Sequence, residues 1–154
     1  MVAGGRYNTG NGTGSSIGGG GWNNATHFYA VISGGFYNLV AGNYSTVSGG
    51  QRNSITTTYA TISGGVSNIA SGFGSKVGGG GWNTASNEYC TVSGGTLNTA
   101  AGSSFVTVGG GKWNVAIGSS GCISGGYGNY ATNTYGCIDL TLLCFALLSV
   151  LGLA

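Results

Sequence analysis

Polar and apolar residues alternate along short stretches of the chain. In the segment from Tyr44 to Ser48, Ser45 and Val47 alternate with Tyr44, Thr46 and Ser48. A period of two residues is typical of a β-strand, whose side chains point in turn to opposite faces of a sheet. We therefore predict that Ser45 and Val47 point into a core and that the other three residues point outward.

The alternating stretches belong to a repeat of fifteen residues. Each unit opens with two consecutive glycines after a small residue, and the unit starts are Ala3, Gly18, Ser33, Ser48, Ser63, Gly78, Ser93, Gly109 and Ser124. Only the step from Ser93 to Gly109 has sixteen residues. Every unit ends on Val or Ile and carries an asparagine five residues after its start: Asn8, Asn23, Asn38, Asn53, Asn68, Asn83, Asn98, Asn114 and Asn129.

The repeat predicts the fold class. Fifteen residues are too few for a pair of helices, but they suffice for two short strands joined by tight turns. Glycine pairs supply turns because glycine adopts positive φ at little cost. We therefore predict an all-β parallel β-solenoid, a two-sheet β-roll of nine coils over residues 1–138, followed by a short hydrophobic C-terminal segment over residues 139–154.

The asparagines of this column alternate in step with the residues predicted to point inward, and they lie next to the Gly-Gly turns. A buried amide has two donors and one acceptor that need partners. Two arrangements meet this need: the amides hydrogen-bond to one another along the stack as a ladder, or they hydrogen-bond to backbone groups of the glycine turns. Both give the column a structural role.

Two segments, residues 45–53 and 60–72, carry the Gly-turn, small-residue and Val/Ile columns and resemble the head repeats of trimeric autotransporter adhesins. Those heads are left-handed parallel β-rolls on bacterial surfaces that bind host or matrix components. The resemblance covers residues 3 to 138. It implies a left-handed roll, an extracellular or cell-surface location and an adhesin-like rod.

A second resemblance is to the β-roll ice-binding proteins of grasses, whose coils also have about fifteen residues. It implies an ice-binding face of outward hydroxyls on adjacent coils. The residues that match such a face are Thr46, Ser48, Thr61, Ser63, Thr91 and Ser93. Val31, Lys76, Cys122 and Cys137 interrupt the threonine column.

Two columns of aromatic residues fall on outward positions. The first, before the asparagines, comprises Tyr7, Trp22, Tyr37, Trp82 and Trp113; the second comprises Tyr29, Tyr44, Tyr59, Tyr89 and Tyr135. Exposed apolar strips mark interaction sites, so the columns predict a lateral interface between rods or a glycan-binding surface. The alternative is that rings on successive coils only pack on one another.

Composition and charge favour self-association over other functions. Only six of the 154 residues are charged, so few charges oppose edge-to-edge contact. The register begins at Ala3 without room for a cap, which predicts end-to-end stacking into filaments. A net charge of +2 from scattered Arg and Lys predicts no nucleic-acid partner.

Catalysis is not expected, because the single histidine, His27, lies eight coils from Asp139, and Glu88 is the only other acid. We also expect no cofactor and no metal. Cys122 and Cys137 occupy the same outward position on adjacent coils and could form a disulfide in an oxidising environment. Cys90 is expected to be a packed inward thiol. Asn11, Asn24 and Asn43 begin Asn-x-Ser/Thr sequons, which are possible glycosylation sites.

Residues 140–154 are apolar and uncharged, with Cys144 among them, and they are shorter than the roughly 20 residues that span a bilayer. Three interpretations remain: a cap or docking segment, a membrane or processing signal, or a gene-prediction or cloning artefact. Membrane contact is expected only through this segment. The sequence predicts a non-catalytic structural rod that is extracellular or on the cell surface and acts by self-association, or alternatively a module that binds ice or glycans.

Overall fold

The computed structural model describes residues 1–139, which contain eighteen short β-strands and no helix. Each coil contributes two strands. The odd-numbered strands are β1 Thr9–Gly10, β3 Asn24–Ala25, β5 Leu39–Val40, β7 Ser54–Ile55, β9 Ile69–Ala70, β11 Thr84–Ala85, β13 Thr99–Ala100, β15 Val115–Ala116 and β17 Tyr130–Ala131. The even-numbered strands are β2 Ser16–Ile17, β4 Val31–Ile32, β6 Thr46–Val47, β8 Thr61–Ile62, β10 Lys76–Val77, β12 Thr91–Val92, β14 Thr107–Val108, β16 Cys122–Ile123 and β18 Cys137–Ile138.

The strands form two parallel sheets of nine strands each, with the odd strands in one and the even strands in the other. Every strand pairs with the equivalent strand of the next coil, so Thr46 lies beside Thr61 and Val47 beside Ile62. The predicted all-β parallel solenoid of nine coils is therefore confirmed. Residues 140–154 lie outside the described residues, so the three interpretations of that segment stay predictions.

Positions within a coil are numbered here from 1 to 15, with Ser33 at position 1 and Val47 at position 15. The core contains small side chains because each coil is thin. Val or Ile fills position 15, a small or aliphatic residue fills position 8, and a third small residue fills position 13. Ser45 and Val47 are fully buried, whereas Thr46 is half-buried and Tyr44 is exposed, as the alternation predicted.

Glycine supplies part of each corner, as predicted, because the glycine at position 3 has a positive φ in every coil. The corners also contain left-handed residues that the sequence did not predict. Position 5 and position 12 adopt the left-handed conformation in almost every coil, and Tyr, Trp, Arg, Ser, Leu and Phe residues occupy them with φ between 52° and 59°. Non-glycine residues seldom adopt this conformation. It reverses the direction of the backbone N–H: Tyr44 donates to the carbonyl of Phe28 in the preceding coil, whereas Thr46 donates to Ala60 in the following coil.

The extra residue of coil seven lies in the loop between β13 and β14. Glu88, at position 11 of coil six, pairs with Ser104, which is the twelfth residue of coil seven. The extra residue therefore lies before Ser104. The Asn87 amide donates to the carbonyls of Ala101 and Gly102, which lie at the start of this wider loop. Both sheets continue beyond it, because Thr107 pairs with Thr91 in one sheet and Val115 pairs with Thr99 in the other.

Candidate functional site

The asparagine column is inward and hydrogen-bonded mostly to backbone groups. The Oδ1 atom of Asn53 accepts the backbone N–H of Asn68, at 3.1 Å. The Nδ2 atom of Asn53 donates to the carbonyl of Gly49 in its own coil, at 2.9 Å, and to that of Gly65 in the next coil, at 3.0 Å. Of the two arrangements considered, the bonds to turn backbone therefore dominate.

Direct amide-to-amide bonds occur at three steps of the column. They run from Asn38 to Asn23, from Asn114 to Asn98 and from Asn129 to Asn114, at 3.0–3.2 Å. The same amides also donate to glycine carbonyls. From Asn23 to Asn114 the side chains are buried, and their donors and acceptors are engaged inside the coil, so these seven asparagines leave no surface group for a ligand.

The second aromatic column forms a continuous ladder of rings on the outside of the rod. Its members follow one another from coil two to coil seven: Tyr29, Tyr44, Tyr59, Phe73, Tyr89 and Phe105. Neighbouring ring centroids are 5.2 to 5.6 Å apart, within the range of favourable aromatic contacts. The rings are between 39% and 63% exposed, so together they form one apolar strip, which we call the aromatic ladder.

Sequence reasoning missed two members of this ladder. Coil five has glycine at position 12, and a Cβ atom on Gly74 would lie 2.8 Å from the ring of Tyr89. Phe73, one position earlier, fills the gap and makes edge contacts with Tyr59 and Tyr89 at interplanar angles of 82° and 84°. Phe105 continues the ladder beyond the inserted residue by stacking on Tyr89. The sixteen-residue step displaced Phe105 from the fifteen-residue column, which concealed it.

The first aromatic column is discontinuous. Tyr7, Trp22 and Tyr37 stack at 4.8 and 5.2 Å. Arg52 and Ser67 then occupy the same position in coils four and five, so Trp82 is separated from Tyr37 by two coils without a ring. The column therefore contributes one stack of three rings. Trp113 has an edge contact with Tyr127 and lies under the ammonium group of Lys112, at 4.6 Å.

The orientation of the rings decides which ligands the ladder can bind. Tyr44 lies between Tyr29 and Tyr59 with interplanar angles of 14° to both, so both faces of its ring are covered. A sugar ring packs its C–H groups against an open aromatic face, where the negative charge of the π system lies. The ladder presents ring edges to solvent, and this geometry disfavours glycan stacking at Tyr44.

The hydroxyl residues that match the face of the ice-binding proteins lie on the even-stranded sheet. Thr46 pairs with Thr61, and Thr91 pairs with Thr107, which extends the column by one residue that the sequence analysis did not include. Lys76 lies between Thr61 and Thr91 in register with both. Ser63 and Ser93 flank a shallow cleft at this point. The hydroxyl array therefore has two halves with an exposed cation between them.

Cys122 and Cys137 are register partners on β16 and β18 and are both free thiols. A hydrogen bond with Cys137 raises the pKa of the Cys122 thiol, and desolvation and the charge of Asp139 act in the same direction. Cys90 is fully buried at position 13.

The three sequons differ in accessibility. Asn11 and Thr13 are exposed in a turn of coil one. Asn24 and Thr26 are half-buried around β3. The hydroxyl of Ser45, in the sequon of Asn43, is buried and donates to the carbonyl of Thr57 at 2.8 Å. Asn11 is therefore the sequon whose two functional groups are both open to solvent.

Within residues 1–139, no three of the His, Cys, Asp and Glu side chains come together as a metal site. His27 bonds to the hydroxyl of Thr26, at 2.9 Å, in a shallow pocket near Asn11 and Asn43. The same part of the chain has no helix of the length and apolarity that crossing a membrane requires.

No protein-family model matches the chain, and a search of curated proteins finds no significant match either.

Proposed function

We propose that this protein is a non-catalytic structural rod that associates laterally with further copies of itself through the aromatic ladder. The observation that carries the proposal is the continuity of the six exposed rings over six successive coils. An apolar strip of this kind is unfavourable in water unless a partner covers it. The resemblance to adhesin heads adds the expectation that the rod acts outside the cell or on its surface.

A second copy of the chain fits the ladder better than an unrelated surface would. Ring edges recur along the ladder at intervals of 5.2 to 5.6 Å. A surface with the same interval can meet these edges in register along the whole length, and another coil stack of this chain has that interval by construction of the repeat. Aromatic side chains are also the residue class enriched at interface cores.

The charges beside the ladder favour parallel copies. Lys76 and Glu88 are exposed and lie in adjacent coils, at position 14 and position 11, and thus on opposite sides of the position 12 column. A twofold axis parallel to the rods would place Lys76 of each copy beside Glu88 of the other. Opposite charges at an interface edge contribute mainly to orientation and association rate.

The proposal is tested by sedimentation velocity over a concentration series of the full chain. The double variant Tyr44→Asn/Tyr59→Asn removes two rings from the ladder, and asparagine tolerates the left-handed backbone of both positions. We expect it to raise the concentration at which association begins by about tenfold or more, since aromatic residues dominate interface energies. Lys76→Glu should weaken association by a smaller factor, and less so at high salt.

The matched control is Trp82→Asn. Trp82 has the same left-handed backbone and is 57% exposed, but it lies outside the ladder. We expect this variant to associate like the natural chain. Equal losses in the double variant and in Trp82→Asn would argue for general stickiness of exposed aromatics, and unchanged association of the double variant would refute the proposed interface.

Ice binding is the second candidate, and the hydroxyl array on the even strands supports it. Thr46 and Thr61 on one side of Lys76, and Thr91 and Thr107 on the other, repeat in register along the rod. Regular hydroxyl spacing is what the resemblance to grass ice-binding proteins implies. The interruption by Lys76 makes this the weaker candidate.

A further inference from the structure

The outward column of the even-stranded sheet carries cysteine in two successive coils. Cys122 on β16 and Cys137 on β18 are direct register partners. Paired residues of adjacent parallel strands lie about 4.8 Å apart, and disulfides join Cα atoms roughly 4.4 to 6.8 Å apart. Cys122 is half-buried and Cys137 exposed, so a small oxidant can reach the pair.

Cys137 is close enough to Cys122 to affect the ionisation of its thiol. A hydrogen bond between their side chains is the largest cause of the raised pKa of Cys122. The raised pKa lowers the thiolate fraction of Cys122 at a given pH, and thiolate is the reactive form. Cys137 is also the more exposed of the two, so it is the thiol that meets an external oxidant first, with Cys122 in position to complete the bond.

The core beneath the cysteines is thinner than elsewhere in the rod. Gly121 and Gly136 occupy position 13, directly before each cysteine, whereas the preceding coils bury Cys90 and Val106 at that position. Neither glycine has a positive φ, so the backbone conformation does not require glycine there. Coils eight and nine thus lack an inward contact that neighbouring coils have, on the sheet where the cysteines face outward.

We propose that Cys122 and Cys137 form a redox-controlled disulfide that fastens coil nine to coil eight. This inference does not depend on self-association. The thiolate of Cys137 attacks a small-molecule disulfide, such as glutathione disulfide, and releases one thiol. The thiolate of Cys122 then attacks the Cys137 sulfur of the mixed disulfide and releases the second thiol. The two cysteines lose two protons and two electrons, and the small disulfide is reduced.

The bond should restrict local opening of coil nine. In the part of the chain that the structure describes, coil nine pairs with coil eight alone, through β15 with β17 and β16 with β18. A coil with one neighbour opens more readily than a coil with two, because solenoid stability is a sum over neighbouring units. Amide hydrogen exchange in residues 124–138 therefore reports the state of the disulfide.

The experiment compares the full chain in reduced and in oxidised glutathione buffers by peptide mapping and hydrogen-exchange mass spectrometry. We expect a peptide that links Cys122 to Cys137, and exchange in residues 124–138 that slows by about tenfold or more on oxidation. Residues 48–62, five coils away, should exchange equally in both buffers. Cys137→Ser should make exchange in coil nine insensitive to the buffer.

Cys144 lies outside the described residues and is a competing partner, so the measurement is repeated on Cys144→Ser. Buried Cys90 should remain reduced throughout and serves as the internal control. The proposal is overturned if Cys122 and Cys137 both stay open to alkylation after oxidation of Cys144→Ser. It is also overturned if the bond forms but exchange in residues 124–138 does not slow.

Discussion

Individual residues of the rod meet two demands at each corner, one of hydrogen bonding and one of backbone conformation. Asparagine at position 6 satisfies a backbone N–H and two glycine carbonyls, as Asn53 does for Asn68, Gly49 and Gly65. Position 3 holds a glycine that the following coil approaches closely. A Cβ on Gly65 would lie 2.1 Å from the carbonyl oxygen of Gly80.

The adjacent residues Asn23 and Asn24 provide a matched test of the asparagine column. Asn23→Ala leaves the buried N–H of Asn38 and the Gly19 carbonyl without the partners they now have. We expect it to lower the free energy of unfolding by about 1–3 kcal/mol, the cost of an orphaned buried group. Asn24→Ala removes a half-buried side chain whose buried Oδ1 accepts no hydrogen bond, so it should leave the free energy of unfolding unchanged or raise it by less than about 1 kcal/mol. Urea unfolding monitored by circular dichroism measures both; equal effects would contradict this account.

Neighbouring glycines test the backbone demand in the same way. Gly95 has a φ of +86°, and a Cβ there would lie 2.1 Å from the carbonyl oxygen of Gly111, so Gly95→Ala should lower the free energy of unfolding by about 2–4 kcal/mol. Gly94 has open space and no positive φ, so Gly94→Ala should be neutral or stabilising by up to about 1 kcal/mol. A tolerated Gly95→Ala would show that the coils are not packed this closely.

At this scale the sequence predicted the inward asparagines but not the conformation of the corners. The alternation shows that the asparagines fall on the same side of the chain as the Val and Ala residues of the core. The positive φ of residues such as Tyr44 and Trp22 is not, because aromatic residues seldom adopt it. It arises because the neighbouring coil fixes the direction of each N–H, as in the bond from Tyr44 to Phe28.

The coil is the structural element of this protein, and its fifteen-residue length is what the sequence predicted best. Glycine pairs, asparagine and Val/Ile recur at constant intervals, and both sheets follow from them. The exception is coil seven, where the count revealed an extra residue but not its place. The strand pairings place it between β13 and β14, and the pairing of Glu88 with Ser104 narrows it to residues 101–103. The sequence does not show this, since several residues of 101–105 are small and fit the pattern in more than one alignment.

Deletion of one whole coil, residues 63–77, tests the coil as an independent unit. The deletion joins Ile62 to Gly78 in register, so we expect a folded solenoid whose circular dichroism per residue matches the natural chain and whose stability is lower by one coil.

The same deletion of residues 63–77 also tests ice binding. It removes Lys76 and brings Thr61 beside Thr91, which should strengthen any inhibition of ice recrystallisation.

The control for the coil deletion removes residues 63–70 only. This leaves seven residues of coil five, too few to close a turn of the solenoid, and the register of all later strands is lost. We expect this shorter deletion to unfold the chain. Similar stability of the two deletion variants would contradict a structure made of fifteen-residue coils.

The whole molecule presents different surfaces along its sides, and their continuity decides what the rod can do. The outward columns were predictable from parity, but the aromatic ladder as one surface was not. Phe73 and Phe105 lie outside the column of position 12 as the sequence counts it. Phe73 joins Tyr59 to Tyr89, and Phe105 extends the ladder beyond Tyr89. Conversely, the first aromatic column is interrupted at Arg52 and Ser67, so a similar number of aromatics yields no continuous strip.

Negative-stain electron microscopy of the full chain over a concentration series tests lateral self-association most directly. We expect single rods at low concentration and rods aligned side by side at higher concentration, with Tyr44→Asn/Tyr59→Asn remaining single under the same conditions. End-to-end filaments of single-rod width would support the separate prediction of axial stacking. Isolated rods at every concentration, or side-by-side bundles that the double variant forms equally well, would contradict association through the aromatic ladder.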